Sequence, residues 1–440
     1  MSDIAIGLWS FPVLLLLIFI RIPIAFSMMF VGFAGNWIIN GSTASVMSLL
    51  KHMPYGWFSD YSFSIVPLFL LMGQFATLGG MSAALFKAAE TWMGHKKGGV
   101  AMATIGACAG FGAICGSSLA TAATMGQTAL PELHKYGYSG SLSTGTLAAG
   151  GTLGILIPPS VILVIYAILA EQNIAKLFAA AFLPGILAAV GYIITIAIYV
   201  RLYPESAGMR ERVPYGERFL ALIPVWPVLV IFLAVVGGIY AGIFTPTEAA
   251  AVGAFGTGLV AFFSGGMTLR QTGEAILATA SSTAMIFLIV LGAALFNTFL
   301  ARTQLPQEVA TWVTELGLSP WLVLIAVLLL YLVFGCVMDS LSMILLTVPI
   351  FFPIMSALEF GMSTSDFGLW FGILVLIVVE VGLITPPVGM NLFVINSMAK
   401  DIPISQTFRG TLPFVMADMI RVAILVAFPA ITLGVVWLLY

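Results

Sequence analysis

Stretches of about 20 apolar residues follow one another along almost the whole chain, and this limits the fold more than any other feature. A helix needs roughly that length to cross the hydrocarbon core of a bilayer. Only 8% of the 440 residues are charged, against roughly 25% in a soluble domain. So few charges cannot cover a soluble protein of this size. The sequence therefore predicts an all-α polytopic membrane protein and excludes a soluble enzyme.

The apolar runs between polar breaks define the expected crossings. Ten are predicted: 4–20, 22–39, 61–86, 143–170, 178–200, 219–240, 247–266, 276–299, 367–399 and 411–439. Two further stretches, 99–131 and 321–358, are too long for one simple span and have small or polar residues near their centres. We expect each to fold back as a re-entrant hairpin, which is tolerated at membrane depth only where protein or water surrounds it.

The distribution of basic residues supports this count. With the N-terminus outside, twelve fall inside: Arg21, Lys87, Lys96, Lys97, Lys135, Arg201, Arg210, Arg212, Arg218, Arg270, Lys400 and Arg409. Lys51, Lys176 and Arg302 fall outside, and Arg421 lies within the last span. Because cytoplasmic loops carry an excess of Lys and Arg, both termini are predicted outside. The net charge of −2 and the lack of a basic stripe argue against a nucleic-acid partner.

Two copies of a broken segment indicate an internal duplication. Residues 154–159 read GILIPP and follow the first hairpin, whereas 382–387 read GLITPP and follow the second. Each half has three spans, a hairpin, a span broken by a double proline and a closing span. Five crossings per half is an odd number, so the two halves are predicted to be inverted. The predicted division is 1–205 for the first repeat, 206–218 for a cytoplasmic connector and 219–440 for the second repeat.

Paired broken segments in inverted halves are typical of the binding sites of secondary transporters. Proline removes a backbone donor and clashes with the preceding turn, so each double proline should leave carbonyl groups unpaired. Free carbonyls can coordinate Na⁺, and the N-terminus of a restarted half-helix favours an anion. The alternative is that the prolines only kink two long helices.

The first hairpin turn is rich in small and hydroxyl residues. Ser117 and Ser118 lie at its expected tip, and Thr121 follows one turn later. Their hydroxyl groups could bind an ion or a carboxylate. The alternative is ordinary close packing of small residues between helices.

The second hairpin contains Asp339 in an apolar stretch, followed by Ser340 and Ser342. An ionisable residue inside a membrane segment is costly, so we expect it to serve a bound cation. Asp is also a good N-cap, and it could simply start the returning half-helix.

Glu380, five residues before Thr385, is the second buried carboxylate of interest. It could pair with a polar group of the opposite half, be protonated, or couple transport to protons. Asp418 and Arg421, three residues apart on one helix, are expected to neutralise each other.

Four segments resemble the large membrane subunit of tripartite ATP-independent periplasmic (TRAP) transporters: 116–126, 154–160, 338–339 and 382–391. The resemblance covers essentially the whole chain. It implies a Na⁺-driven elevator-type fold in a bacterial inner membrane, with both termini periplasmic. It also implies partners: a small four-helix membrane subunit, not fused to this chain, and a periplasmic binding protein that delivers an organic acid anion; membrane lipid surrounds the assembly.

The resemblance also implies the binding residues. Na⁺ would lie where each hairpin tip meets the broken helix of its own half, at Gly116, Ser117, Ser118, Gly151, Gly154, Asp339, Ser340, Ser342, Thr385 and Pro386. Substrate would lie between the tips, near Ser118, Thr121, Pro159, Ser342 and Asn391. Many members of this family have a Gly-Pro pair at the first tip, where this chain has Ser118-Leu119. The substrate class is therefore not taken from the dicarboxylate or sialic acid members.

The sequence leaves three other functions to compare. A proton-coupled carrier would use Glu380 instead of Na⁺. A channel would need a continuous water path. An intramembrane enzyme is disfavoured because the sequence has no HExxH and no pair of membrane aspartates in a Gly-Asp motif.

Overall fold

The computed structural model describes residues 2–440, except the side chain of Thr314, and the regular elements among them are all helical. The first half contains α1 (Asp3–Phe19), α2 (Ile24–Asn40), α3 (Thr43–Phe58), α4 (Ile65–Leu78), α5 (Met81–Met93), α6 (Gly99–Cys115), α7 (Ser118–Lys135), α8 (Gly140–Leu156), α9 (Val161–Leu169) and α10 (Ile174–Leu202). The second half contains α11 (Tyr215–Leu220), α12 (Trp226–Phe232), α13 (Gly238–Tyr240), α14 (Pro246–Phe263), α15 (Leu269–Thr303), α16 (Leu305–Glu315), α17 (Pro320–Gly335), α18 (Ser340–Ser356), α19 (Thr364–Gly382), α20 (Met390–Met398), α21 (Ile404–Ala427) and α22 (Ala430–Leu439). The predicted all-helical fold class is confirmed.

Seven of the described helical segments are long and apolar enough to cross a membrane. The pair α8 and α9 forms an eighth if it is one bent span, with a bend of 48° at the first double proline. Six more apolar helices are 10 to 17 residues long, among them three of the four hairpin helices. Each predicted hairpin is therefore a pair of helices, α6–α7 and α17–α18, joined by a short turn at its polar centre.

Two of the predicted crossings were wrong in extent. The helix in 61–86 ends at Leu78, because Gly79 and the left-handed Gly80 (φ 65°) turn the chain into α5. The helix in 411–439 ends at Ala427, because Phe428 leaves the helical region (φ −128°, ψ 76°) before Pro429. A residue before proline is disfavoured in the helical region, which explains the second break.

Two helices were not predicted, since neither is apolar enough to resemble a span. They are α3, which contains Lys51 and His52, and α16, which contains Glu308 and Glu315. α3 lies between two predicted crossings, and α16 lies between a predicted crossing and the second predicted hairpin.

Helices from the two halves pack against each other through small residues. α2 lies along α15, and α4 lies along α14. A Cβ atom at Gly32 would be 2.8 Å from the backbone nitrogen of Phe296, and one at Gly292 would be 2.7 Å from the carbonyl oxygen of Ala25. Asn36 donates to the carbonyl of Leu295 across the same contact, at 3.3 Å. Such contacts hold apolar helices together where the hydrophobic effect does not distinguish protein from lipid.

The same order of elements occurs on both sides of residues 207–214, which have no regular structure. In each half a hairpin is followed by a broken helix, α8–α9 or α19–α20, and then by a long closing helix. The peptide bonds within both double prolines are cis. The division into inverted repeats at 205 and 219 stays a prediction.

Candidate functional site

The tip of the first hairpin is a tight turn between α6 and α7. Gly116 ends α6 in the left-handed conformation, with φ 64°, which glycine adopts without a steric penalty. Ser117 then caps α7, its hydroxyl accepting the backbone N–H of Ala120 at 3.4 Å. Ser118 is therefore the first residue of the returning half-helix, and it is buried.

This tip lies directly against the broken helix of its own half. A Cβ atom at Gly154 would be 2.5 Å from Oγ1 of Thr121 and 2.7 Å from the carbonyl oxygen of Ser117. One at Gly116 would be 3.4 Å from the carbonyl oxygen of Pro159. A Cβ atom at Gly151 would be 3.2 Å from the carbonyl oxygen of Ser118. The glycines therefore allow backbone oxygens of the hairpin and of the break to come close together.

The second hairpin has the same construction with different residues. Asp339 caps α18, its carboxylate accepting the backbone N–H of Ser342 at 3.0 Å, so the predicted capping role is confirmed. A Cβ atom at Gly382 would be 2.6 Å from the Cα atom of Gly335, which brings this hairpin onto the broken helix α19. Across the break, the N–H of Gly389 donates to the carbonyl of Cys336 at 2.9 Å.

Glu380 joins the two tips. Its Oε1 accepts a hydrogen bond from the hydroxyl of Ser340 at 2.5 Å and one from the hydroxyl of Ser118 at 3.4 Å. All three side chains are at least 97% buried. Of the roles considered for Glu380, pairing with a polar group of the opposite half is confirmed, since Ser118 belongs to the first half.

A second polar contact also crosses between the halves. The amide of Asn391 reaches from the start of α20 to the carbonyl of Ala148 on α8, at 3.4 Å, and its Oδ1 is buried without a hydrogen-bond partner. Oγ1 of Thr121 is likewise buried and unpartnered, so two residues predicted to bind substrate keep free polar atoms in the interior.

The predicted pair on the last long helix is confirmed, and it reaches further than expected. Arg421 lies 2.9 Å from Asp418, and both are buried. Asp418 also accepts the hydroxyl of Tyr192 at 2.7 Å, and that hydroxyl is 3.0 Å from Thr152. The network therefore joins α21 to α10 and α8.

The structure brings the residues of the first predicted ion site together more closely than those of the second. The first break brings together Gly116, Ser117, Gly151 and Gly154. At the second break, the hydroxyl of Thr385 donates to Val381 of its own helix at 2.6 Å, and Pro386 is exposed. Asp339 and Ser342 are half-buried.

The sequence contained a signal for the shared role of Glu380. Each hairpin tip has an N-cap residue followed directly by serine, Ser117-Ser118 in one and Asp339-Ser340 in the other. The matched serines indicate that the two tips are built alike. Only the packing shows that their common partner is one carboxylate. The close contacts of Gly112 with Gly154 and of Gly335 with Gly382 were also missed.

The donor set at the first tip suits a hard cation. It consists of carbonyl and hydroxyl oxygens, including the unpartnered Oγ1 of Thr121, and hard cations prefer oxygen ligands. At the second tip, a carboxylate and two hydroxyl groups, those of Ser340 and Thr385, supply oxygens of the same kind.

Comparisons with known proteins agree on the family. Residues 11–431 match the family described as tripartite ATP-independent periplasmic transporter, DctM component. The chain is 39% identical to the C4-dicarboxylate TRAP transporter large permease protein DctM of Pseudomonas aeruginosa over 375 residues, 85% of this chain and 86% of that one. It is 32% identical to the sialic acid TRAP transporter large permease protein SiaM of Vibrio cholerae, covering 95% of each.

The fold also resembles a solved structure. The crystal structure of the YdaH transporter of Alcanivorax borkumensis superposes with a TM-score of 0.64 over 90% of each chain, at 14% identity. That similarity concerns the fold alone. From the family match and the identities above, the chain belongs to the DctM component of tripartite ATP-independent periplasmic transporters, as a multi-pass large permease subunit rather than an enzyme.

Proposed function

We propose that this permease imports a small organic acid anion, such as a carboxylate or a sulfonate, driven by Na⁺ symport through an elevator movement. The observation that carries the proposal is the close packing of each hairpin against the broken helix of its own half, which the glycines at 154 and 382 permit. Broken helices in this arrangement bind coupling ions and substrate in secondary transporters.

The proposed Na⁺ sites are the two tips. The first would use Gly116, Ser117, Ser118 and the facing stretch around Gly151 and Gly154, whose glycines leave the tip carbonyls accessible. The second would use Asp339, Ser340, Ser342, Thr385 and Pro386. A cation held at either tip supplies positive charge beside an anionic substrate.

The proposed substrate site lies between the tips, near Ser118, Thr121, Pro159, Ser342 and Asn391. Its support is the burial of Thr121 and Asn391 with polar atoms that lack partners. Buried polar groups without partners are costly, and a polar ligand would satisfy them. The relatives are named for C4-dicarboxylate and sialic acid, so the family leaves the particular acid open.

Transporters of this family use a small membrane subunit and a periplasmic binding protein with the large permease. We propose a four-helix small subunit and a binding protein that delivers the anion from the periplasm. The proposed location is a bacterial inner membrane with both termini periplasmic, on the basis of the distribution of Lys and Arg.

Uptake by the complete assembly tests the proposal. Thermal shifts of the cognate binding protein against carboxylates and sulfonates identify the substrate, and proteoliposomes with all three components then measure its uptake. We expect uptake with an inward Na⁺ gradient and none when choline replaces Na⁺. Unchanged uptake in choline would contradict Na⁺ symport. Uptake that instead follows a pH gradient, and is lost in Glu380→Gln, would favour the proton-coupled alternative.

A further inference from the structure

The two hairpin tips have one contact in common. Ser118 is the first residue of α7 and Ser340 is the first residue of α18, and each follows its N-cap residue. Their hydroxyl groups donate to the same oxygen, Oε1 of Glu380, at 3.4 and 2.5 Å. One carboxylate therefore contacts the first turn of both returning half-helices.

Two features of this position stabilise Oε1 of Glu380 as an acceptor. Helix N-termini carry a partial positive charge, and two of them begin beside Glu380. Hydroxyl donors satisfy an oxygen that burial would otherwise leave without water. The other charged groups that act on Glu380 are Asp418 and Arg421, and these already pair with each other at 2.9 Å. Among the described residues, the side-chain hydrogen bonds of Glu380 are therefore those from the two hairpin serines.

A hydroxyl group that gives its hydrogen to a carboxylate has its direction fixed. Its hydrogen points at the acceptor, so its lone pairs point elsewhere and can accept a bond or coordinate a cation. Partners outside the ligand shell of an ion orient the ligands in the same way at known metal sites. Glu380 can therefore fix the hydroxyl groups of Ser118 and Ser340 at the same time.

We propose that Glu380 is a positioning residue that ties the two hairpin tips together, orients their serine hydroxyl groups and so couples the two ion sites. The ion part of this inference rests on the proposed Na⁺ sites, whereas the tie between the tips does not. Coupling means that a change at one tip alters the other tip, which belongs to the opposite half of the chain.

Hydrogen exchange of the purified permease in choline buffer tests the tie without substrate or Na⁺. Glu380→Ala is expected to raise exchange at least about fivefold in both tip peptides, 114–121 and 336–343, because local opening sets exchange. Glu380→Gln keeps an acceptor oxygen and should stay within about twofold of the native protein. As matched controls, Ser118→Ala and Ser340→Ala each remove one of the two bonds; each should raise exchange most in its own tip peptide and to a smaller extent in the other.

Na⁺ is then added as the probe. Native protein should show Na⁺-dependent protection at both tips. In Glu380→Ala, the Na⁺ concentration that gives half-maximal protection should rise about tenfold and the Hill coefficient should fall toward one. In Glu380→Gln, both quantities should stay close to those of the native protein. A tenfold change in midpoint is a typical strength for coupling between sites.

The outcomes separate this inference from the proposed function. If Glu380→Ala raises hydrogen exchange only in 336–343, or in neither tip peptide, the proposed tie is overturned, regardless of the response to Na⁺. If both tips loosen but the Na⁺ midpoint is unchanged, the orientation of ion ligands by Glu380 is overturned. If native protein shows no response to Na⁺ while both tips loosen in Glu380→Ala, the Na⁺ proposal fails and the tie stands.

Discussion

The two broken helices share a nearly identical break, GILIPP at 154–159 and GLITPP at 382–387, but have very different surroundings. Pro158 and Pro159 are buried, and α9 beyond them is buried from Val161 to Ala167. Pro386 and Pro387 are exposed, and α20 beyond them leaves Phe393 47% exposed. The difference shows that a local motif defines a break in the helix but not its access to the surroundings.

Different neighbours account for the contrast. α9 packs against α4 and against the hairpin helix α18, and the hydroxyl of Tyr166 donates to the carbonyl of Gly368 at 2.7 Å. α20 packs against α7, α8 and α21. Both helices therefore contact the opposite hairpin; α4 of its own half covers α9 as well, whereas α20 keeps one side exposed.

The largest expected effect concerns the polar network around the first broken helix. Arg421→Met should lower the free energy of unfolding by about 3–5 kcal/mol, because it leaves Asp418 buried without its counter-charge. Chemical denaturation in detergent measures this loss. Asp418→Asn combined with Arg421→Met should recover part of it. Arg270→Met is the control, since Arg270 and its partner Glu274 are exposed and their pair contributes little. Equal losses of unfolding free energy in Arg421→Met and Arg270→Met would contradict a stabilising ion pair between Arg421 and Asp418.

Cysteine labelling compares the access of the two breaks directly. Val164 and Phe393 are the fourth residues of α9 and α20; Val164 is fully buried and Phe393 is 47% exposed. With N-ethylmaleimide in detergent, Phe393→Cys should react at least about tenfold faster than Val164→Cys, because reaction of a buried thiol requires local opening. The native cysteines Cys108, Cys115 and Cys336 are buried and give the background. Equal rates would remove the contrast.

The N-caps of the two hairpins should separate stability from ion binding. Ser117→Ala and Asp339→Ala should each cost about 1 kcal/mol, since each removes the acceptor for a first-turn N–H. Asp339→Asn keeps a good cap and should retain the melting temperature, but it should raise the Na⁺ midpoint severalfold because the negative charge is lost. An unchanged Na⁺ midpoint would limit Asp339 to capping.

The smallest effect is expected at Thr385. Its hydroxyl already donates to Val381 of its own helix, so Thr385→Val preserves the shape and removes one oxygen. We expect the Na⁺ midpoint to rise about threefold, consistent with the loss of one weak ligand. Thr195→Val, where the hydroxyl bonds to Gly191 in the same way, is the control and should leave the midpoint unchanged. Equal effects at both positions would exclude Thr385 as a ligand.

Much of the fold followed from patterns that are local in the chain. Apolar length indicated the long helices; the Gly and Ser residues at 115–118 and the Asp and Ser residues at 336–340 indicated the hairpin turns. α3 and α16 were missed because an amphipathic helix between spans has no such length signal.

Local sequence patterns predicted the candidate site only in part. The residue types at both tips were predicted from their spacing and from the family resemblance. The contact of Ser118 with Glu380 joins residues 262 positions apart, and nothing in either segment specifies it. Only the packing of α7 and α18 against α19 places both serines on one carboxylate.

By itself, the sequence determined that this protein lies in a membrane as a bundle of helices, with two hairpins and two proline breaks, because hydropathy and backbone chemistry act over a few residues. The tertiary structure decided which break is closed and which is open, and it joined the two hairpins at Glu380. Burial and long-range hydrogen bonds depend on which helices become neighbours, and that is a property of the whole packed chain.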